Sequence, residues 1–305
     1  MPLSLIAEQL LNGLQLGLML FLLAAGLTLV FGVMDMINLA HGSLYMIGAY
    51  IAAAIIEASG SFLLGIAGAI AGTALVGVAL EMTLLRRLYR RSHLSQVLAT
   101  FALILIANEI VRMIWGSQPI LLNMPPALSG PAKLSGFRYP AYRLVVIGVG
   151  LAMALFLYLL VTRTRAGMWV RAGASDREMA EVMGVDTRTL FTLVFAIGAA
   201  LCAVAGALLG PLLAVQVGMG ENILILAFVV ISIGGIGSIR GALVGSLLVG
   251  LLDTAGRAFL PFLFRAMFPS VIVAEAGPAV ASVLIYVLMA AVLCFRPSGL
   301  FPARG

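Results

Sequence analysis

Asp35, Asn38 and His41 stand three residues apart in the stretch "MDMINLAHGSLYMIGAY" that begins at Met34. A carboxylate, an amide and an imidazole at that spacing can hold a proton, line a polar route, or satisfy backbone groups where a helix is interrupted. The apolar run "LQLGLMLFLLAAGLTLVFGV" precedes them and "IAAAII" follows. In hydrocarbon each of the three is costly unless something solvates or pairs it. Asp35 reads as a water-facing or capping residue rather than a metal ligand. The other acids in apolar surroundings are Glu109 and Asp253. Glu109 lies three residues from Arg112, which favours a local ion pair over a proton relay.

Other chemistry is missing at the level of motif. The only lysine, Lys133, sits in "GPAKLS" and does not complete a phosphate-binding GxxxxGK[ST] loop. There is no HExxH, no nucleophile elbow, and the two histidines, His41 and His93, are separated by two apolar runs. Cys202 and Cys294 lie inside apolar runs without a CxxC and read as buried small hydrophobes, so neither zinc nor a disulfide is expected. No cofactor is implied, and any energy from ATP must come from another chain.

The elements that position these residues are membrane helices. Of 305 residues 63% are hydrophobic and 10% charged, with mean hydropathy +1.16, against about 25% charged in a soluble domain. Segments 11–31, 62–82, 94–115, 142–162, 189–213, 241–260 and 278–295 are long enough to span, or nearly so. Two shorter ones, 44–57 and 223–237, fit either short spans or re-entrant helices, which gives eight or nine crossings. The N-terminus "MPLSLIAEQLLNG" lacks a basic region and a cleavage site, so the first run reads as a retained span.

The net charge of +6 is carried by arginines that punctuate the apolar segments, which argues against a nucleic-acid face and for a topology signal. Twelve of the eighteen basic residues fall in 86–92, 163–188, 234–241 and the tail from 295. That set is assigned to the cytoplasm, with the C-terminus inside. The opposite segment 116–141 holds Pro119, Pro125, Pro126, Pro131 and Pro140, and reads as an ordered or semi-rigid external loop, either a connector or a docking surface. Glycines at spacings of three and four read mostly as helix-packing residues. Polar breaks at 32–43 and 234–241, each flanked by apolar helices, suggest a weak internal repeat with interrupted helices. "GGIGSIRG" reads as a tight turn and not a phosphate loop, because no strand precedes it.

The segment 163–188, "RTRAGMWVRAGASDREMAEVMGVDTR", holds a capping-box pattern in Ser175 and Glu178, followed by a two-turn helix that stops at Gly184. Met179, Val182 and Met183 share one face of it. A helix this short is unstable alone in water, so that face needs a groove on a partner, or the membrane surface, or the protein's own bundle.

"INLAHGSLYMIGAY", "EMAEVMGV", "GGIGSIRGALVGSLLVGLL" and "FRPSGLF", in that order along the chain, resemble the permease subunit of branched-chain amino acid ABC importers. The resemblance covers essentially the whole sequence. It implies one all-α polytopic transmembrane permease domain over 1–305 in a bacterial inner membrane, not an enzyme by itself. Its implied partners are a second homologous permease, two cytoplasmic ATP-binding subunits and an external substrate-binding protein. Leucine, isoleucine and valine are the implied cargo; related permeases carry urea or short amides. The resemblance places ATPase coupling on Ser175, Glu178, Met179, Ala180, Val182, Met183 and Gly184. Asp35, Asn38, His41, Gly42, Gly234, Gly235 and Gly237 then mark helix breaks, and either satisfy freed backbone groups or line the pathway. An ion-coupled carrier is the more distant alternative, and the scarcity of paired intramembrane acids speaks against it.

Overall fold

In the computed structural model, residues 3–89, 91–134, 137–265 and 270–301 are described. Arg90 and Arg304, both counted in the topology assignment, lie outside the described residues, as do 135–136 of the Pro-rich segment and the end of the tail.

The chain forms α1 (Leu3–Met34), α2 (His41–Ser59) and α3 (Phe62–Leu80), which continues through a π-helical turn (Glu81–Leu85) into α4 (Arg86–Leu88). Next come α5 (His93–Trp115), a hairpin of β1 (Pro131–Leu134) and β2 (Phe137–Pro140), and α6 (Ala141–Arg163). Two shorter helices follow, α7 (Arg165–Ser175) and α8 (Arg177–Val182). The last four are α9 (Thr187–Leu209), α10 (Met219–Gly234), α11 (Ile239–Arg265) and α12 (Ser270–Phe295). Among the described residues seven helices are long and apolar enough to cross a bilayer, the 19-residue α2 among them, and Met219–Gly234 and Ala279–Phe295 are shorter apolar helices. The all-α membrane bundle expected from sequence is therefore present, and within the Pro-rich segment residues 131–134 pair antiparallel with 137–140.

Helix ends collect into two sets. At one end Gly32 abuts Gly237, the Tyr89 ring meets Phe191 edge-on at 5.2 Å, and the Leu300 and Phe301 amides donate to the Ile233 and Gly234 carbonyls, both at 2.9 Å. The arginine-rich segments lie at this basic end. At the other end Ile120 pairs with Val215, and the Tyr139 hydroxyl donates to Asn12 Oδ1 at 2.9 Å. The tail contact satisfies carbonyls that α10 would otherwise leave open at its C-terminus. Gly235 (φ +106°) and Gly299 (φ +81°) let the two backbones touch there.

Close helix crossings are made of small residues. α1 packs antiparallel on α11 through Gly13, Gly17 and Gly250, and α3 packs antiparallel on α9 where Gly77 meets Ala199. α1 crosses α9 at Gly26 and Gly198, and the first turns of α2 and α10 meet at Gly42 and Gly220. Lipid supplies no hydrophobic force between helices, so such close approach is what makes them associate. Exchanging α1-α2-α3 for α9-α10-α11 maps every one of these pairings onto another or onto itself. As α1 and α9 run in opposite directions, the two triplets form an inverted repeat. This corrects the sequence-based pairing of the 32–43 break with 234–241. The counterpart of the 35–40 break is 210–218, because in both a long helix ends and the chain turns back into the protein before a helix starts inside it. The stretch between Gly234 and Ile239 is only a tight turn, as "GGIGSIRG" suggested.

Candidate functional site: helix break, basic-end cavity and coupling loop

α1 reaches the basic end at Met34, and Asp35 turns the chain in a left-handed conformation (φ +49°). The non-helical segment then climbs back beside α1, because His41 Nε2 lies 2.8 Å from where a Cβ on Gly26 would sit. The helical rise from Gly26 to Met34 makes that return about 12 Å. Non-helical backbone at such depth is tolerated only when protein or a cavity encloses it. Here protein does: Met36, Asn38 and His41 are fully buried and Ala40 nearly so. Asn38 Oδ1 accepts from the Ala40 amide at 3.0 Å, satisfying a freed backbone donor as one of the two sequence readings required. His41 Nε2 meets Cys202 Sγ at 3.1 Å, wedged between Gly26 and Gly198. Cys202 is thus buried but partnered, and Cys294 is exposed, so the reading of both as buried hydrophobes is corrected. An imidazole has two polar nitrogens, and a buried soft thiol beside one of them lowers the cost of enclosing it.

Asp35 is exposed and, with Arg91, His93, Arg177 and Gly237, lines a cavity of about 660 Å³ at the basic end. Asn38 and His41 are not among the residues lining that cavity. Gly42 is held by its contact with Gly220, and Gly234 by its contact with Gly241 across the α10–α11 turn.

Among the described residues the most completely buried acid is one that the sequence does not single out. Glu81, 0% exposed, accepts from Arg86 Nε (3.2 Å) and Nη2 (3.0 Å), from the Tyr89 hydroxyl (2.8 Å) and from Thr192 Oγ1 of α9 (2.7 Å). An α-helix does not bring residues i and i+5 together. The wider π turn over Glu81–Leu85 does, and such turns cluster at functional positions. Burial, and then the bond to Glu81, hold the Tyr89 phenol well above its ordinary pKa, so it remains a donor. Glu109 pairs with Arg112 at 2.8 Å as expected, and Asp253 pairs with Arg257 at 2.9 Å, whose Nη2 also reaches Ser282 of α12 at 3.1 Å.

In the 163–188 loop the capping residue differs from expectation. Asp176, not Ser175, is the N-cap of α8: its Oδ1 accepts from the Met179 amide at 2.9 Å, while Ser175 is the last residue of α7. Both residue types can cap, and α7 runs one residue further than the capping-box pattern allows. Glu178 stays in the first turn, exposed, where the helix dipole favours it. α8 ends as predicted at Gly184 (φ +87°), with Gly184 N donating to Glu181 O and Val185 N to Ala180 O, both 3.0 Å. Ala180 is buried beneath, and Met179, Val182 and Met183 are 58%, 81% and 77% exposed.

This exposed face rests on a fixed base. Thr187 Oγ1 donates to Glu181 at 2.6 Å, and the Arg177 guanidinium lies 4.6 Å above the Phe191 ring. Asp186 caps α9 through the Arg188 and Thr189 amides, and the Thr189 hydroxyl, donating to its carboxylate, keeps that carboxyl below its ordinary pKa. Since Phe191 touches Tyr89 and Tyr89 bonds Glu81, side-chain contacts run without a gap from α8 to the buried carboxylate between α3 and α9.

Comparison with known proteins gives one family. The family model described as "Branched-chain amino acid transport system / permease component" matches residues 9–293. The chain is 30% identical over 306 residues to the high-affinity branched-chain amino acid transport system permease protein BraD of Pseudomonas aeruginosa, an alignment covering 96% of this chain and 94% of that one. It is 31% identical over 275 residues to the permease protein LivH of Escherichia coli, covering 83% and 86%. A probable branched-chain amino acid transport permease protein LivH of Methanocaldococcus jannaschii is 27% identical over 268 residues, covering 82% and 81%. With the family model spanning most of the chain and a relative at 30% identity along nearly its full length, this polytopic membrane protein belongs to the permease-component family of branched-chain amino acid transport systems.

Proposed function

We propose that the chain is one of two permease subunits of an ATP-driven importer in a bacterial inner membrane, with the basic end in the cytoplasm and the cargo leucine, isoleucine or valine. Two ATP-binding subunits sit beneath it, and an external binding protein delivers the cargo to the opposite end. The names of its relatives support the cargo, and the concentration of arginine at one end supports the orientation.

The observation that carries this reading is α8. A six-residue helix and its C-cap Met183, clamped onto α9, present three large apolar side chains that the described residues leave more than half exposed. Met-rich faces suit adaptable partner grooves. In this reading Met179, Val182 and Met183 enter a groove on the ATPase, and Ser175, Glu178, Ala180 and Gly184 set the shape of the loop around them. Closure of the ATPases would then push α8, and through Arg177, Phe191, Tyr89 and Glu81 would tilt α3 against α9. Asn38 and His41 serve the helix break itself, whereas Asp35 and Gly237 face the cytoplasmic cavity.

The test is uptake of labelled leucine and of urea into proteoliposomes holding this chain co-expressed with its genomic neighbours, with the binding protein supplied outside. Leucine uptake that disappears without the ATPase is expected. Urea uptake alone would replace the cargo, and uptake that persists without the ATPase would overturn the importer.

A further inference from the structure

A second cavity of about 660 Å³ at the basic end shares Gly32 and Gly237 with the one that Asp35 lines. Its walls come from α1, α6, α7, the α10–α11 turn and the tail at Leu300 and Phe301. Its charges set it apart. The first cavity places Asp35 beside Arg91 and Arg177, whereas the second is lined by Arg171 and Arg240 and by no acid. Both arginines are exposed, and neither has an ion-pair partner among the described residues. Arg171 donates through Nη1 to the Val161 carbonyl, which leaves most of its guanidinium donors and all five of Arg240 available.

The α1 wall supplies an independent pointer to a ligand. Thr28 lines the cavity and is 1% exposed, yet its hydroxyl has no hydrogen-bond partner among the described residues. A hydroxyl enclosed in this way is costly unless something bonds it. Much of the remaining lining is apolar, Leu29, Val170 and Leu300 included.

Depth narrows the choice of ligand. Thr28 stands six residues before the end of α1 at Met34, about 9 Å by helical rise, and Tyr158 about 8 Å before the end of α6 at Arg163. A headgroup layer is roughly 5–8 Å deep on each side of the hydrocarbon core, so the cavity runs from that layer to the start of the acyl chains. The next open residues of α6, Leu155, Phe156 and Leu159, are apolar, as a lipid-facing helix requires. A free anion matches the two arginines alone. An anionic amphiphile matches the arginines, the apolar lining and the depth together, and basic pockets between membrane helices suit lipid head groups.

We propose that this cavity binds the phosphate head of an anionic phospholipid. Arg171 and Arg240 hold the phosphate, the Thr28 hydroxyl donates to an ester oxygen of the glycerol, and the acyl chains run along the open face of α6. The site goes beyond the importer reading and requires only that the basic end meets a membrane surface. Since α7 leads directly into α8, a lipid held there braces the base of the 163–188 loop against α1 and the tail.

The test is retention of labelled phosphatidylglycerol by the purified full-length chain in neutral detergent, against phosphatidylcholine at the same concentration. Phosphatidylglycerol is expected to be preferred, and Arg171→Gln and Arg240→Gln should each lower its affinity about fivefold. Arg87→Gln removes an exposed arginine of the same end that lies outside the cavity, and should change affinity less than about twofold because distant charges are screened. Thr28→Val should weaken binding about threefold while the lipid-free protein melts unchanged, since its hydroxyl bonds no protein group. Equal retention of phosphatidylcholine, or an equal loss in Arg87→Gln, would overturn the site in favour of non-specific lipid contact. Unchanged binding by Thr28→Val would overturn the buried pose. Displacement by inorganic phosphate at the concentration at which unlabelled lipid displaces would overturn the lipid as occupant.

Discussion

Gly220→Ala isolates the contact on which both interrupted helices depend. A Cβ at position 220 would lie 2.1 Å from the Gly42 carbonyl oxygen and 2.6 Å from its carbon, and one at Gly42 would lie 2.4 Å from the Gly220 oxygen. The obstructing atoms are backbone, so no side chain can swing away, and the two helix starts must separate by about 1 Å to restore ordinary contact. α2 is not free to yield. Gly48 is pressed on Ala203, and Gly206 on Tyr45, along its crossing with α9. Overpacking of this kind costs about 1–3 kcal/mol. At roughly 2–4 °C per kcal/mol for a protein of this order of size, the midpoint should fall by about 2–12 °C. The assay is thermal aggregation of the detergent-solubilised protein, followed by size-exclusion chromatography. Gly148→Ala on α6 is the control, because nothing lies within 4 Å of its Cβ. Removing a mid-helix glycine there gains up to about 1 kcal/mol in helix propensity, so its midpoint should hold or rise slightly. If Gly220→Ala and Gly148→Ala melt together, the close approach of α2 and α10 is not what holds the breaks in place, and the argument from the inverted repeat fails.

Three other outcomes follow from the coupling loop and the buried carboxylate. Met183→Asp should leave membrane insertion intact and lower ATP-dependent uptake about tenfold or more, since burying a methionine in a partner groove is worth about 1.5–3 kcal/mol; normal uptake by the well-expressed variant would refute the docking role. Asp176→Ala removes the N-cap of α8, worth about 1 kcal/mol, and should weaken ATPase binding roughly fivefold in a titration of the subunit, with Asp176→Asn largely restoring it. Glu81→Leu leaves Arg86, Tyr89 and Thr192 without their acceptor and should cost about 3 kcal/mol, at the low end for a broken buried pair because Arg86 is 34% exposed. The double change Glu81→Leu with Arg86→Leu should be less destabilised in the same melt than Glu81→Leu alone, and an additive loss would show that the pair is not coupled.

The spans, the stop at Gly184 and the exposed apolar face of α8 were all legible in sequence because each depends on neighbours within one or two turns. Asn38 was legible for the same reason: its partner is two residues away. What escaped depends on distance or on departure from regular spacing. Glu81 and Arg86 are five apart, a separation that α-helical periodicity treats as unpaired, and only the π turn unites them. The third partner, Thr192, lies 111 residues on. Ser175 and Asp176 both have the chemistry of a cap, and which one serves is decided by where α7 ends. The counterpart of the 35–40 break was hidden because "GPLLAVQVG" is largely apolar and continues the hydrophobic run of 189–213, although its opening Gly-Pro is itself a signal of interruption. His41 meets Cys202 across 161 residues, a contact no local pattern encodes.

The pairing of Leu300 and Phe301 with the end of α10 has a bearing on how the protein is made. During translation the α10–α11 turn emerges well before the tail segment that pairs with it. At about 5–20 residues per second, the stretch from Gly234 to Phe301 takes roughly 3–13 s to synthesise. For that interval the Ile233 and Gly234 carbonyls must be served by water or by the insertion machinery. A chain lacking Leu300 and Phe301 would leave both carbonyls without these donors, so the end of α10 is completed only by a segment made many residues later.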